Sequence, residues 1–493
     1  MCESCEWNLN RRDFLGTSFG VGIAMAQAAG SPSASAAMEP VVPPRPKNPP
    51  IIWAVFLYPP ADIVNAGQFE DHWRVHQWFT WPGNQFQPEL QEQKFTQKIK
   101  EMAARLGINV EFAPQAIYQE AKVREYIAAA QEAKPDAVLV INFWNTLAEW
   151  SYRIATEAAA VSVVYQPVGS NHQLPREYLR NTPRLWYIHS IENWGEIERS
   201  LRAIRAGKML AQSRLLRVST RVKELTQEAD PDLGVEIYHV PTQELIEIFD
   251  AIPVDEAMTA EAMAIKQEAV AVRDVPDQYL VEAIRADRAV RTIMSRYGAD
   301  AITIECLMLK HRKPCISFAL LNGSLVPAGC ENMVDGTITM MIGRWLWDRA
   351  GFMHNPEFDT TENLYMGAHC TCAWKLHGPE GPSQRFVIRP FFHQLPPTAA
   401  LDVEWSPGEP VVLAKYYSGK RSVCCWTGEV DHSPPCPPVG GCATRVLVKI
   451  DKVDDVCSIY PGIHPILFCV DRKEARALRA FAHLYGLEWT GNI

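Results

Sequence analysis

Three features are missing from this 493-residue sequence, and each absence argues against a class of protein. No run of 18 or more apolar residues occurs, which argues against a membrane-spanning helix. No basic excess occurs either: 48 Lys and Arg stand against 57 Asp and Glu, and the resulting net charge of -9 argues against a nucleic-acid-binding surface. Neither a Walker A motif nor a GxGxxG motif is present, so neither type of phosphate-binding loop is predicted. The chain is long enough for two or three domains.

Cysteine is absent from most of the chain. Of the 13 cysteines, Cys2 and Cys5 stand at the N-terminus and the other eleven all follow residue 305. Because eleven is an odd number, these cysteines cannot all form disulfides within one chain. No CxxC pair remains after residue 5, which disfavours a zinc site of that type. If the protein is exported, the candidates for disulfides are Cys424, Cys425, Cys436 and Cys442.

The N-terminus has the pattern of an export signal. Arg11 and Arg12 precede Phe14 and Leu15, a short apolar segment and the small-residue tail SPSASAA. This order is typical of a twin-arginine signal peptide, which we predict over residues 1–37; the alternative is a disordered basic arm. A Pro-rich linker follows over residues 38–50. We therefore expect an exported protein in the periplasm or outside the cell.

From Ile51 onwards, predicted strands and helices alternate, which is typical of parallel sheets covered by helices. Two such sets occur, over residues 51–180 and 181–352. Short strands at regular spacing, broken by Pro and Gly, dominate the remainder and indicate an antiparallel β-barrel domain over residues 353–493. The predicted fold class is therefore α/β, with two tandem Rossmann-like α/β lobes followed by a C-terminal antiparallel β-barrel.

The stretch from residue 300 to 377 carries the first candidate site. We interpret it as a strand (AITIE), a strand (CISFALLN), a Gly-rich loop and a helix beginning near Glu331, then a hairpin closing on His369. The turn HNP of that hairpin would bring Asn355 to the loop face on which Glu331 lies, at the sheet edge where open α/β folds build their sites. An acid, an amide and a histidine there indicate a metal or polyol site. The alternatives are a helix cap for Glu331 and simple packing for His369 and His377.

A second candidate region is an aromatic and imidazole cluster in the first lobe. Flat aromatic faces beside hydrogen-bonding side chains suit the faces and hydroxyls of a sugar. The alternative is a loop folded over the core. The candidate substrate-binding residues of this cluster are His76, Trp78 and Trp81.

Taken together, these segments resemble the L-fucose isomerase and L-arabinose isomerase family. Three places carry the resemblance. The stretch from AITIEC to GCENMVDGTITM is similar to the strand, loop and helix that bear the family's first metal-binding Glu, here Glu331. The hairpin EFDTTENLYMGAHC is similar to the family's strand toward the site. The segment PGIHPILFCVD is similar to its C-terminal histidine segment and maps to His464, which read alone would be a turn residue.

The resemblance implies aldose–ketose isomerisation. A divalent ion, usually Mn²⁺, would hold two sugar oxygens and stabilise an enediolate while carboxylates move a proton between C1 and C2. Glu331, Asn355 and His464 would be the metal ligands, and His369 would contact the substrate. The resemblance also implies a monosaccharide as the partner, and a trimer or hexamer in which a neighbour's first lobe closes the cleft.

The sequence departs from the family at one ligand. Asn355 stands 24 residues after Glu331 (355 − 331), where the family has a metal-binding Asp. An amide oxygen can coordinate a metal, but it cannot act as a general base. Asp359, four residues further on, could take that place after a small shift of register. Both assignments stay open, as does the alternative of an exported carbohydrate-binding protein that kept the cleft and lost turnover.

Overall fold

The computed structural model describes residues 46–69, 87–167, 176–191, 193–391, 398–435 and 441–493. The predicted export signal, most of the linker and the cluster containing His76, Trp78 and Trp81 lie outside these ranges. Residues 41–493 form one compact unit, and the domain boundaries within it stay a prediction. In the part of the chain that the structure describes, no helix is long and apolar enough to cross a membrane.

The first sheet has five parallel strands in the order β2-β1-β3-β4-β5. Its central strands are continuous apolar runs because helices cover both faces. The order is that of flavodoxin-like doubly wound folds and differs from the Rossmann order. The strands are β1 (Ile51–Leu57), β2 (Asn109–Phe112), β3 (Ala137–Asn142), β4 (Ser162–Pro167) and β5 (Leu185–Ser190), and the helices are α1 (Ala61–Asn65), α2 (Pro88–Leu106), α3 (Glu120–Ala133), α4 (Ala148–Glu157) and α5 (Glu177–Asn181).

The second sheet has the order β11-β10-β6-β8-β7 and is parallel except at the β7 edge. Its strands are β6 (Arg214–Ser219), β7 (Thr226–Ala229), β8 (Glu236–Pro241), β10 (Ala301–Ile304) and β11 (Ala328–Gly329). The tandem Rossmann-like arrangement stays a prediction, whereas the mixed α/β architecture is confirmed. The accompanying helices are α6 (Trp194–Ala211), α7 (Thr242–Ala251), α8 (Glu256–Glu268), α9 (Asp277–Tyr297), α10 (Cys315–Gly323) and α11 (Val334–Trp347).

The prediction of a strand over the segment CISFALLN is wrong, because this segment forms α10. A short continuous apolar run has no period that separates a buried strand from a buried helix. In this structure the helix begins after Pro314 and is buried along most of its length. At its end, the side chain of Asn322 accepts a hydrogen bond from the Ala328 amide and donates one to the Ala328 carbonyl, at 2.8 and 3.0 Å. The helix thereby fixes the start of β11, which leads to Glu331.

A curled antiparallel sheet follows, with the order β12-β20-β17-β18-β19-β14-β13 and with β21 added parallel to β18. The antiparallel prediction is confirmed, as a half-barrel in place of the predicted barrel. The HNP segment is not the predicted turn, because β13 begins at Asn355. The strands are β12 (Phe352–Met353), β13 (Asn355–Asp359), β14 (Leu364–His369), β17 (Pro410–Tyr417), β18 (Ser422–His432), β19 (Thr444–Ile450), β20 (Ile466–Cys469) and β21 (Glu488–Gly491).

Two elements tie this half-barrel to the preceding part of the chain. Strand β9 (Ala271–Val272) pairs in parallel with β15 (Phe386–Arg389), which pairs with β16 (Ala400–Val403). Helix α12 (Arg476–Tyr485) packs on α6, where a Cβ at Gly207 would lie only 1.9 Å from the Tyr485 ring. The predicted boundary near residue 352 is therefore crossed by pairing and packing.

Cys424, Cys425 and Cys442 are free thiols, as are all ten cysteines within the described residues. The disulfides considered for these three are therefore not present in this structure. Cys424 and Cys425 are neighbours in a strand, so their side chains point to opposite faces of the half-barrel. Cys436 lies outside the described ranges.

Candidate metal centre

Glu331 lies in a tight connection between β11 and α11. The strand ends at Gly329 and the helix begins at Val334, so Glu331 precedes the helix instead of starting it. Glu331 and Asn332 both have left-handed backbones, with φ of +55° and +62°. Such conformations are uncommon for residues other than glycine, and they concentrate at functional sites.

The connection is held from both sides. The side-chain oxygen of Asn332 accepts a hydrogen bond from Arg217 Nε at 2.7 Å, and its backbone amide donates to the Ile304 carbonyl at 3.0 Å. A Cβ at Gly329 would lie 2.1 Å from Thr337 Oγ1, so only glycine allows the strand end to approach α11 this closely. These contacts fix where the Glu331 carboxylate begins.

His464 approaches from the half-barrel, two residues before β20. It too has a left-handed backbone, with φ of +52°, and its side chain is 3% exposed. The buried ammonium of Lys415, in β17, donates to the carbonyls of Ile463 and His464 at 3.0 and 3.3 Å. Burial lowers the pKa of Lys415 to about 8. Lys415 is a positioning residue, because it holds the backbone that carries His464.

His369 ends β14 and reaches the same place from the other side of the half-barrel. Its Nδ1 lies 3.2 Å from the hydroxyl of Thr371, which in turn accepts a hydrogen bond from the Cys330 thiol at 3.3 Å. This contact fixes the ring and leaves Nε2 to face Glu331. In a metal-binding histidine, the ring nitrogen that does not bind the metal usually has a hydrogen-bond partner that fixes the ring.

The donor atoms of Glu331, His369 and His464 all lie within 4.8 Å of one another. Nε2 of His369 is 3.6 Å from one carboxylate oxygen of Glu331, and Nε2 of His464 is 3.5 Å from the other. Both distances are those of ion pairs and are too long for good hydrogen bonds. The three side chains therefore surround a common point.

His464 provides the clearest indication that the cluster holds a water or an ion. Both of its ring nitrogens are buried, and neither has a hydrogen-bond partner among the described residues. A buried polar atom without a partner is costly and points to a water or ion. A carboxylate with two imidazoles is a donor set that divalent metals accept. The residues present therefore fit a metal ion.

The pKa values of the two histidines are shifted in opposite directions. Burial, with the nearby His369, lowers the pKa of His464 to about 4, so this ring is neutral at physiological pH. Burial also acts to lower the pKa of His369, but the Glu331 carboxylate outweighs it and the net pKa is raised. Neutral imidazole is the form that binds metal. His464 is thus already in the ligating state.

Asn355, the predicted third ligand, lies on the neighbouring strand of the hairpin. The ladder pairs Asn355 with Ala368, and paired residues share a face of the sheet. His369 and Gly367 occupy the other face, where the ring of His354 lies so close that a Cβ at Gly367 would be 2.7 Å from it. The pleat therefore favours His369 over Asn355 as the third donor.

Asp359, the alternative to Asn355, ends the same strand at the hairpin turn. One of its carboxylate oxygens accepts hydrogen bonds from the backbone amides of Thr361 and Glu362, both at 3.0 Å. This is the local bonding with which Asp stabilises turns. It gives Asp359 a structural role at the tip of the hairpin.

Lys415 and Thr371 were missed by the sequence-based interpretation. A lysine inside the otherwise apolar strand PVVLAKYY was a usable signal, because charged residues are seldom buried without a partner. Thr371 offered no signal: it contacts His369 only because the chain turns just after β14.

We expect Lys415→Met to weaken both metal binding and stability. Loss of the two hydrogen bonds should free the His464 backbone and weaken metal binding by about 10- to 100-fold, the cost typical of changing a residue that holds a metal ligand in place. The buried His464 carbonyl would lose its donor, so the free energy of unfolding should fall by about 1 to 3 kcal/mol. Metal titration and chemical denaturation measure the two effects. Lys449→Met, at an exposed position of β19, is the matched control.

Comparison with known proteins gives a distant relative. The sequence matches no protein-family model. It is 26% identical over 223 residues to a sulfoquinovose isomerase from Clostridium sp. (strain MSTE9), an alignment that covers 41% of this chain and 49% of that protein. The chain thus spans about half the length of the curated relative that it matches. The similarity is to a sugar isomerase, but not specifically to an L-fucose or L-arabinose isomerase.

Proposed function

We propose that this chain is a metal-dependent enzyme of the aldose–ketose isomerase type, with a monosaccharide as substrate. The observation that carries the proposal is the convergence of Glu331, His369 and His464, with both nitrogens of His464 buried and unpartnered among the described residues. The distant similarity to a sugar isomerase supports the reaction type. The donor cluster supports the need for a metal.

We propose Glu331, His369 and His464 as the metal ligands, with His369 in the place predicted for Asn355. A divalent ion bound there supplies a Lewis acid that polarises the sugar carbonyl and orients the neighbouring hydroxyl. The resemblance to the isomerase family favours Mn²⁺. Two imidazoles and one carboxylate are equally suited to Zn²⁺ or Fe²⁺, so the choice of ion is a question for metal analysis.

Proton transfer between two sugar carbons needs a general base beside the ligands. Glu305 follows β10, the strand next to β11, and so ends at the same sheet edge as Glu331. Its Oε2 accepts hydrogen bonds from Ser219 and Thr220 at 2.7 to 2.8 Å. Although burial raises the pKa of Glu305, these bonds outweigh it and the net pKa is lowered. We propose that Glu305, held ionised, takes the proton from one sugar carbon and returns it to the neighbouring carbon.

The remaining parts of the proposal concern location and assembly. The twin-arginine pattern supports export, and the family resemblance supports a trimer or hexamer in which the region of His76, Trp78 and Trp81 closes a neighbour's cleft. Sedimentation of the purified protein measures the assembly. A monomer at micromolar concentration would contradict it.

The test is turnover by the metal-loaded protein. Purified protein is stripped with chelator, reloaded separately with Mn²⁺, Zn²⁺ or Fe²⁺, and incubated with a panel of neutral and anionic aldoses. We expect aldose–ketose exchange that disappears on chelation and returns on reloading. Sugar binding without exchange would support the non-catalytic carbohydrate-binding alternative. Metal binding with neither exchange nor sugar binding would overturn both.

A further inference from the structure

A second group of metal-type donors lies in the half-barrel, apart from the centre described above. The ligand atoms of His377, Glu409 and Cys469 all lie within 4.8 Å of one another. We propose that these three side chains form a second metal site that binds Zn²⁺ or a similar borderline divalent ion. The site does not depend on the proposed isomerase activity.

Three separate segments build this site. Cys469 is the last residue of β20 and pairs with Val411 of β17, so Glu409, two residues before Val411, lies at the same end of the two strands. His377 comes from the loop that follows β14. That loop turns so sharply that a Cβ at Gly381 would lie 2.4 Å from the Cβ of His377. The approach of the three donors is therefore fixed by strand register and by a tight loop.

The chemistry of the donors favours zinc. A thiolate, an imidazole and a carboxylate are the side chains that zinc binds most often, and three protein ligands leave a fourth position for water. Cys469 is 2% exposed, whereas the side chains of His377 and Glu409 are 17% and 22% exposed, so one side of the cluster is open to solvent. His377 and Glu409 lie 3.6 Å apart, too far for a good hydrogen bond.

Arg349 carries a positive charge that opposes a cation here. Its guanidinium lies beside the cluster and donates to the backbone carbonyls of Cys469, Trp347 and Asp348 at 3.2 to 3.4 Å. The carboxylate of Glu409 provides one negative charge against it. Burial raises the pKa of the Cys469 thiol, so a second negative charge would form only when this thiol loses its proton to a bound ion. A bound ion would then tie the loop after β14 to β17 and β20, and β20 is the strand that follows His464.

The experiment uses the full chain, saturated with Zn²⁺ and freed of excess metal. We expect Cys469→Ser to bind one equivalent less than the wild-type protein, and Cys425→Ser, a buried thiol of β18 outside the cluster, to bind the wild-type amount. Replacement by Co²⁺ adds a specific readout, because only a thiolate ligand produces a sulfur-to-cobalt charge-transfer band. That band should be absent in Cys469→Ser and retained in Glu331→Gln.

His377→Gln guards against a folding defect in the cysteine variant, because His377 is partly exposed. It should lose the same equivalent and the same band while keeping the wild-type circular dichroism spectrum. If Cys469→Ser and His377→Gln both bind as much metal as the wild-type protein, with the cobalt spectrum unchanged, the second site is overturned. If only Glu331→Gln binds less metal than the wild-type protein, the result supports the first centre and contradicts the second site.

Discussion

Glu331→Gln is expected to weaken divalent-metal binding by more than about 100-fold, since changes one shell further out already cost about 10- to 100-fold. The substitution keeps the size of the side chain but removes the negative charge that faces both histidines, at 3.5 and 3.6 Å. The fold should be retained, because Glu331 is partly exposed and its backbone is held by its neighbours. Calorimetric titration of the apo protein measures the affinity.

Asp359→Asn is the matched control for this change. It is the same type of substitution on a carboxylate that was also a candidate from the sequence, but one that bonds the hairpin turn. Metal affinity should stay at the wild-type value in this variant. Equal losses of metal affinity in Glu331→Gln and Asp359→Asn would contradict the proposed set of ligands and indicate that Asp359 is one of them.

His369→Ala is expected to lower metal affinity by a similar amount, more than about 100-fold, because it removes one of three donors from a buried site. Asn355→Ala should leave the affinity unchanged, since the pleat places Asn355 on the opposite face of the hairpin. Titration of both variants with Mn²⁺ and with Zn²⁺ distinguishes the two candidate ligands directly.

The reverse pattern would have a definite meaning. Strong loss in Asn355→Ala with full binding in His369→Ala would show that the hairpin presents its amide to the metal, as the family resemblance implied. A loss in both variants would indicate four protein ligands. His354→Gln serves as the folding control, because His354 is wholly buried and bonded to Tyr365 on the same face as His369.

Glu331 and His464 could be assigned as candidate metal ligands before the structure was known. The choice between Asn355 and His369 as the third ligand could not be made. Glu331 was identified because it follows a Gly-rich loop before a helix, a pattern that is local in the chain, whereas His464 was identified only through the family resemblance. The role of His369 depends on a strand register, and on which face of the hairpin a residue occupies. A shift of one residue exchanges the faces, so a single sequence cannot decide between Asn355 and His369.

The same reasoning explains the success and failure of the fold prediction. Four strands of the first sheet, β1 to β4, were predicted in the first set, since apolar strands there alternate with amphipathic helices. Strand β5 was predicted in the second set, but it pairs in parallel with β4 of the first sheet. The segment CISFALLN was assigned to a strand because its burial is nearly complete and leaves no helical period. The pairing of β9 with β15 joins residues that are more than a hundred positions apart in the sequence, and no local sequence pattern predicts such a pairing.

The separation of the ligands in the chain sets the order in which the centre can form. A ribosome releases Glu331 133 residues before His464 (464 − 331), and His369 comes between them. Until the half-barrel has folded back onto the second sheet, the early carboxylate has no imidazoles beside it. An ion would therefore meet all three side chains only after the chain has been made as far as His464 and the half-barrel has folded.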